Sequence, residues 1–270
     1  MADIWEIYAL KYAERGGRTR RESFLFEDNH DAPHDMDYFV WLLKNGSRTV
    51  LVDTGYDHKE GLARQRPITE DPAELVKRFG VQPDSIDTVI VTHLHYDHAG
   101  NLNAFPNARF HLQAQEMSYA TGPCMCHDVL RYPFTGEHVC DMVRHLFAGR
   151  VVFHQGSGQV APGVEVHLVG GHSRGLQCIR VHTARGHVVL ASDASHYYEN
   201  FLTGKAFPIV VDMEDMLSGF DTLKTLATSI DHIIPGHDPL VRQYYPSVFG
   251  EDESIVRLDV APASSVAGGA

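Results

Sequence analysis

Thr88-Val89-Ile90-Val91 is a short β-branched run of the kind that lies buried in a parallel sheet. It leads directly into Thr92-His93-Leu94-His95-Tyr96-Asp97-His98-Ala99-Gly100, which sets three imidazoles and one carboxylate within six residues. The cluster therefore begins at the C-terminal end of a strand. In open α/β sheets that edge is where sites are built, because loops are exposed there while the strand behind them is rigid. His93 and His95 are two apart and point the same way in an extended segment. Asp97 and His98 follow on the turn into the next element and face a second point nearby. That spacing suits two metal ions side by side better than one.

A chain with 18 histidines places some of them together by chance. Chance does not explain the repetition downstream, where metal-capable residues recur at the ends of strand-like runs followed by small residues. Val166-His167-Leu168-Val169-Gly170-Gly171 leads to His172, Val188-Val189-Leu190-Ala191-Ser192 to Asp193, and His232-Ile233-Ile234-Pro235-Gly236 to His237.

These segments together resemble the metallo-β-lactamase superfamily. Asp53-Thr54-Gly55 after a strand, with Ala191-Ser192-Asp193-Ala194-Ser195, is most similar to its N-acyl homoserine lactonase family. The resemblance spans roughly residues 35 to 245. It implies an α/β fold, a four-layer α/β/β/α sandwich, with His93, His95 and His172 on one metal, Asp97, His98 and His237 on the other, and Asp193 bridging both. The expected cofactors are two divalent metal ions, zinc first, with cobalt, iron or manganese as alternatives. The implied reaction is opening of a lactone ring, that of an N-acyl homoserine lactone in quorum quenching, by attack of a metal-bridging hydroxide. Asp97 is expected to pass a proton to the leaving oxygen. Asp53 is expected to orient a ligand imidazole, with a plain turn role as the alternative. The chain departs from the family at one place. Lactonases commonly carry a tyrosine three residues after the bridging aspartate, whereas here His196 stands there, followed by Tyr197 and Tyr198. Either Tyr197 reaches inward by a one-residue shift or His196 contacts the substrate carbonyl.

Composition narrows the partners. A formal charge of −12, with no basic run longer than the Arg18 to Arg21 patch, argues against a nucleic-acid groove. The start of the chain lacks the basic and apolar regions of a signal peptide, and no run reaches membrane-spanning length. A cytoplasmic protein acting on a small lactone or ester is expected, without nucleic acid or membrane partners and with homodimerisation left open. Cys124, Cys126, Cys140 and Cys178 lack disulfide-scaffold or zinc-ribbon spacing and read as reduced thiols.

Ile4 to Tyr12 reads as a strand, and Tyr38 to Leu43 with Thr49 to Asp53 as a hairpin closed at Asn45-Gly46. Pro72 to Phe79 reads as a helix ending at Gly80. Met142, Val143, Leu146 and Phe147 form one helical stripe; Met216, Leu217, Phe220, Leu223 and Leu226 form another within a helix over Met213 to Ser229. A single hydrolase domain over 1–260 is expected, with a disordered tail over 261–270. Phe26, Met36, Tyr119, Met125, Tyr132 and Phe134 are candidates for an apolar acyl pocket, with core packing as the alternative.

Other functions compete with this reading. A different lactone or cyclic ester of catabolism would use the same site. Glyoxalase-II-like thioester cleavage is disfavoured because only 33 residues follow His237, too few for that family's helical domain. A binding module that kept the fold without the activity is disfavoured by the complete ligand set.

Overall fold

The computed structural model describes residues 3–26, 29–46 and 48–266. Its strands are β1 (Glu6–Arg15), β2 (Met36–Asn45), β3 (Arg48–Val52), β4 (Thr88–Ile90), β5 (Arg109–Gln113), β6 (Val151–His154), β7 (Gly158–Ala161), β8 (Val164–Leu168), β9 (Gln177–Thr183), β10 (Gly186–Ser192), β11 (Ile233–Pro235), β12 (Ser247–Phe249) and β13 (Asp252–Arg257). Eight of them form one sheet in the order β12-β13-β1-β2-β3-β4-β5-β6, and five form a second in the order β11-β10-β9-β8-β7.

The pleat of β2 explains why the sheets face one another. Successive side chains leave a strand on opposite faces. Tyr38, Val40 and Leu42 accordingly join a core with Leu75 and Val76 of helix Pro72–Lys77 and Val139 and Met142 of helix Gly136–Phe147. Phe39, Trp41 and Leu43 turn the other way and pack against Val166, Ile179 and Val188 of the second sheet. With apolar residues on both faces, β2 can only be a central strand of a layered fold. Helix Met213–Leu226 covers the far side of the second sheet through Met216, Phe220 and Leu223. The order is therefore helix, sheet, sheet, helix, the expected sandwich.

Two helical stripes are narrower than their sequence periodicity predicts. Phe147 is 87% exposed at the last position of its helix, and Leu217 is 42% exposed while Met216 and Phe220 are buried. The helix around Leu217 rests on a sheet rather than inside a bundle, so its outer flank stays wet. The terminal segment also departs from expectation. Residues 261–266 are held, with Val266 buried, its N–H donating to Asp231 Oδ1 at 2.8 Å, and the Ala263 N–H donating to Tyr244 O at 2.7 Å. The remainder of the expected tail, 267–270, lies outside the described residues.

The sheet arithmetic fixes where loops converge. β4 runs parallel to β3 and to β5, and β11 runs parallel to β10. Asp53 and His93 thus leave neighbouring strand ends of one sheet, and Asp193 and His237 neighbouring strand ends of the other. The two edges are tied together by the Gln177 N–H to Thr92 O bond of 3.0 Å and by the Ser192 hydroxyl donating to Thr92 Oγ1 at 3.0 Å.

Candidate metal centre

The seven residues expected to bind metal converge at this seam, all of them buried or nearly so. Ligand-capable atoms of His93, His95, His172 and Asp193 lie within 4.8 Å of one another, as do those of Asp97, His98 and His237. Asp193 divides its carboxylate between the groups. Oδ2 is 3.1 Å from His172 Nε2 and 3.8 Å from His93 Nε2, whereas Oδ1 is 3.2 Å from His98 Nε2 and 3.0 Å from His237 Nε2. Asp97 Oδ2 stands 3.9 Å from His98 Nε2 and 4.0 Å from His237 Nε2.

The outward ring nitrogens are engaged, which leaves the inward ones free to coordinate. His172 Nδ1 donates to Ile209 O and His237 Nδ1 to Asp37 O, each at 2.8 Å, and His98 Nδ1 is 2.7 Å from Asp53 Oδ2. The Nε2 atoms of His93 and His98 are buried without a hydrogen-bond partner. Buried orphans of that kind are costly in an ordinary core. Burial also drives the titration of His93 and His95 well below the ordinary imidazole range, so both are neutral donors. Burial acts the same way on His98, but the surrounding Asp193, Asp53 and Asp97 carboxylates override it and favour its protonated form. Desolvation opposes ionisation of Asp193, yet the imidazoles of His196, His98, His237 and His172 outweigh it and hold the group charged. Imidazoles and carboxylates pointing inward without a thiol suit divalent metal ions.

Two further carboxylates support the ligands. Asp53, in the left-handed region at φ +61°, accepts from the Thr92 N–H at 2.7 Å, from the Thr92 hydroxyl at 2.9 Å and from His98. Such backbone conformations are unfavourable for a non-glycine residue and persist where surrounding bonds hold them. Glu116 is fully buried in helix Ala114–Ala120 and accepts from the Leu94 N–H at 2.9 Å, the Ser173 hydroxyl at 2.6 Å and the Gly175 N–H at 2.9 Å. It thereby joins the loop of His93 and His95 to that of His172. Nothing in the sequence marks Glu116, since an acidic residue in the first turn of a helix is ordinary there. Only its three donors, from segments distant in the chain, disclose its role. Gly175 shows the same closeness from the other side, as a Cβ there would stand 2.2 Å from the Glu116 backbone nitrogen.

His196 and Tyr197 are placed differently. His196 lines the cavity above the cluster, its Nε2 lies 3.0 Å from Asp193 Oδ2, and its ring stacks on Phe207 at 3.4 Å between centroids. Burial lowers its titration to about 3, so the ring is neutral. Tyr197 is buried on the far side, with its hydroxyl taking a hydrogen bond from Arg18 and donating to Asp35 O at 3.2 Å. It borders a separate cavity with His34 and Tyr198.

The cavity over the His/Asp cluster has a volume of about 250 Å³ and includes Met36 and Tyr132 in its wall. A neighbouring, more apolar cavity of about 620 Å³ shares Tyr132 with it and is lined by Met125 and Phe134. Tyr119 is buried in the core, and Phe26 is 92% exposed and borders neither.

Residues 36–237 match the metallo-beta-lactamase superfamily. An N-acyl homoserine lactonase of Bacillus thuringiensis is 30% identical over 217 residues, covering 74% of this chain and 81% of the relative. The crystal structure of a quorum-quenching N-acyl homoserine lactone lactonase superposes with a TM-score of 0.74 at 27% identity, covering 88% of this chain and 95% of that one. A second structure, of an N-acyl homoserine lactone hydrolase with N-hexanoyl-L-homoserine bound at the catalytic metal center, gives a TM-score of 0.74 at 26% identity over 90% and 96% of the two chains.

Proposed function

This chain belongs to the metallo-beta-lactamase superfamily, and on that premise we propose that it is a metal-dependent lactonase that opens N-acyl homoserine lactones. The observation that carries this reading is Asp193, whose two oxygens serve two separate groups of inward imidazoles. His93, His95 and His172 would hold one divalent ion and Asp97, His98 and His237 the other, with zinc as the first candidate. Bound there, the ions would supply Lewis acidity that makes water nucleophilic near neutral pH and polarises an ester carbonyl.

The chain's own residues account for the remaining steps. The cavity above the ligands admits a small ring against Asp97 and His196. In the reaction, water oxygen adds to the ring carbonyl carbon, the bond from that carbon to the ring oxygen breaks, and the products are one carboxylate and one alcohol. The alcohol oxygen needs a proton, and the Asp97 carboxylate, 9% exposed in the cavity wall, would take up the proton that the attacking water loses and pass it to that oxygen. Neutral His196 donates from Nε2 to Asp193 and fixes the carboxylate shared by the two groups of imidazoles.

The test is a pH-indicator hydrolysis assay of the metal-replete protein on acylated homoserine lactones, simple γ- and δ-lactones and a glutathione thioester. Turnover of the acylated lactones, abolished in Asp193→Ala and His98→Ala, is the expected result. Turnover of the thioester alone would move the assignment to a glyoxalase-II-like activity.

A further inference from the structure

The metal cavity has a cationic wall that a neutral substrate does not call for. Arg15, Arg18 and Arg66 all line it, and Glu22 is the one carboxylate in its wall outside the ligand set. The chain as a whole is acidic, with 35 Asp and Glu against 23 Lys and Arg, so this local excess runs against composition. The three guanidiniums are not equivalent. Arg15 Nη2 is paired with Glu22 Oε1 at 2.8 Å. Arg18 is buried and spends its terminal nitrogens on Tyr197, the Ser23 hydroxyl, and the carbonyls of His34 and Glu22. Arg66 is half-buried, donates from Nη1 to the Tyr96 hydroxyl, and has no carboxylate within ion-pair distance among the described residues.

Arg66 is also held in place. Its N–H donates to Gly61 O at 2.7 Å, and a Cβ on Gly61 would stand 2.8 Å from Arg66 O, so glycine permits the close approach that fixes the loop. Tyr96, its partner, sits in sequence between His95 and Asp97. A guanidinium keeps its charge under all working conditions and presents parallel N–H donors that match a carboxylate. The Asp97 carboxylate in the same wall acts on Arg66 from beyond ion-pair distance, and the lack of a direct ion pair leaves that capacity for a ligand.

We infer that the lactone this chain acts on carries a carboxylate, or an anionic group of similar size, on the arm attached to its ring, and that Arg66 is the residue that selects it. This rests on the lactonase reading and narrows its substrate class. The competing occupant is an uncharged acyl chain, which the neighbouring apolar cavity beyond Tyr132 would take instead.

The experiment compares N-hexanoyl homoserine lactone with N-(5-carboxypentanoyl) homoserine lactone, which differ only in a terminal methyl or carboxylate. On metal-replete protein the carboxylated compound is expected to show kcat/KM higher by about tenfold to a hundredfold, carried mostly in KM. Added salt should shrink that ratio. Arg66→Gln should bring it close to one, and Arg66→Lys should restore part of it. A thermal shift by the ring-opened carboxylated product, larger than that by N-hexanoyl homoserine and lost in Arg66→Gln, reads the same contact without turnover. Preference for the hexanoyl compound, or a ratio indifferent to salt and to Arg66→Gln, overturns the inference while leaving the lactonase reading intact. Hydrolysis of neither compound removes the lactonase reading and this inference with it. Should Arg66→Gln not fold, the salt dependence in the unaltered protein and the Arg66→Lys ratio decide the matter.

Discussion

At the scale of the residue, the site is a problem of keeping polar groups buried and correctly oriented. Asp53 is the clearest case, since its strained backbone is tolerated only because three donors converge on it. Asp53→Asn exchanges an acceptor for a group that cannot satisfy the same donors, so metal affinity should fall by about 10- to 100-fold, as measured by competition with a chromogenic chelator. His34 gives a pH signature. Burial, reinforced by Arg20 and Arg18, lowers its titration from 6.5 to about 4. The unfolded chain therefore binds that proton first, and the stability linked to neutral His34 is complete above 6.5 and lost as pH falls from there through about 4. In the metal-free protein, melting temperature should drop between pH 7 and 5 less steeply in His34→Gln than in the unaltered chain. Equal slopes would mean that His34 is not a source of acid sensitivity.

At the scale of the element, helix Ala114–Ala120 acts as a clamp because Glu116 reaches from it to two ligand loops. Glu116→Ala strands the Leu94 and Gly175 N–H groups, and each buried unsatisfied group costs about 1–3 kcal/mol. Denaturant unfolding should show a loss of about 3 kcal/mol or more, with metal content reduced in the surviving folded protein. Gly175→Ala attacks the same joint sterically, and should be nearly as harmful because the obstacle is helix backbone that cannot rotate away. A Gly175→Ala protein with unchanged stability and metal content would remove the clamp from the account.

At the scale of the whole molecule, the centre sits where two sheets meet, so metal binding and the docking of the sheets are coupled. Ligands that bind only the folded state stabilise it by mass action, about 4 kcal/mol at a thousandfold excess over Kd. Chelation should lower the melting temperature of the unaltered protein by several degrees and leave Asp193→Ala almost unmoved. The residues we assign to the metals were legible in the sequence because His93, His172, Asp193 and His237 each follow closely on a hydrophobic run, and His95, Asp97 and His98 cluster directly after the first of them. The strand ends announce where the chain must turn, and imidazole or carboxylate at that turn has few other uses. The alternating two-faced character of Tyr38 to Leu43 likewise belongs to the sequence, and with it the layered fold. Partners across the chain were not legible. Glu116 gains its function from three donors it meets only after folding, Tyr197 is turned from the cavity by Arg18, and residues 261–266 are held by Asp231 and Tyr244. The arginine wall is assembled from a strand end and two loops, with nothing in their local patterns to bring them together. Periodicity and strand ends are local properties and can be read from order alone, whereas a charge balance or a hydrogen-bond partner depends on distance in space, which the packing of the two sheets decides.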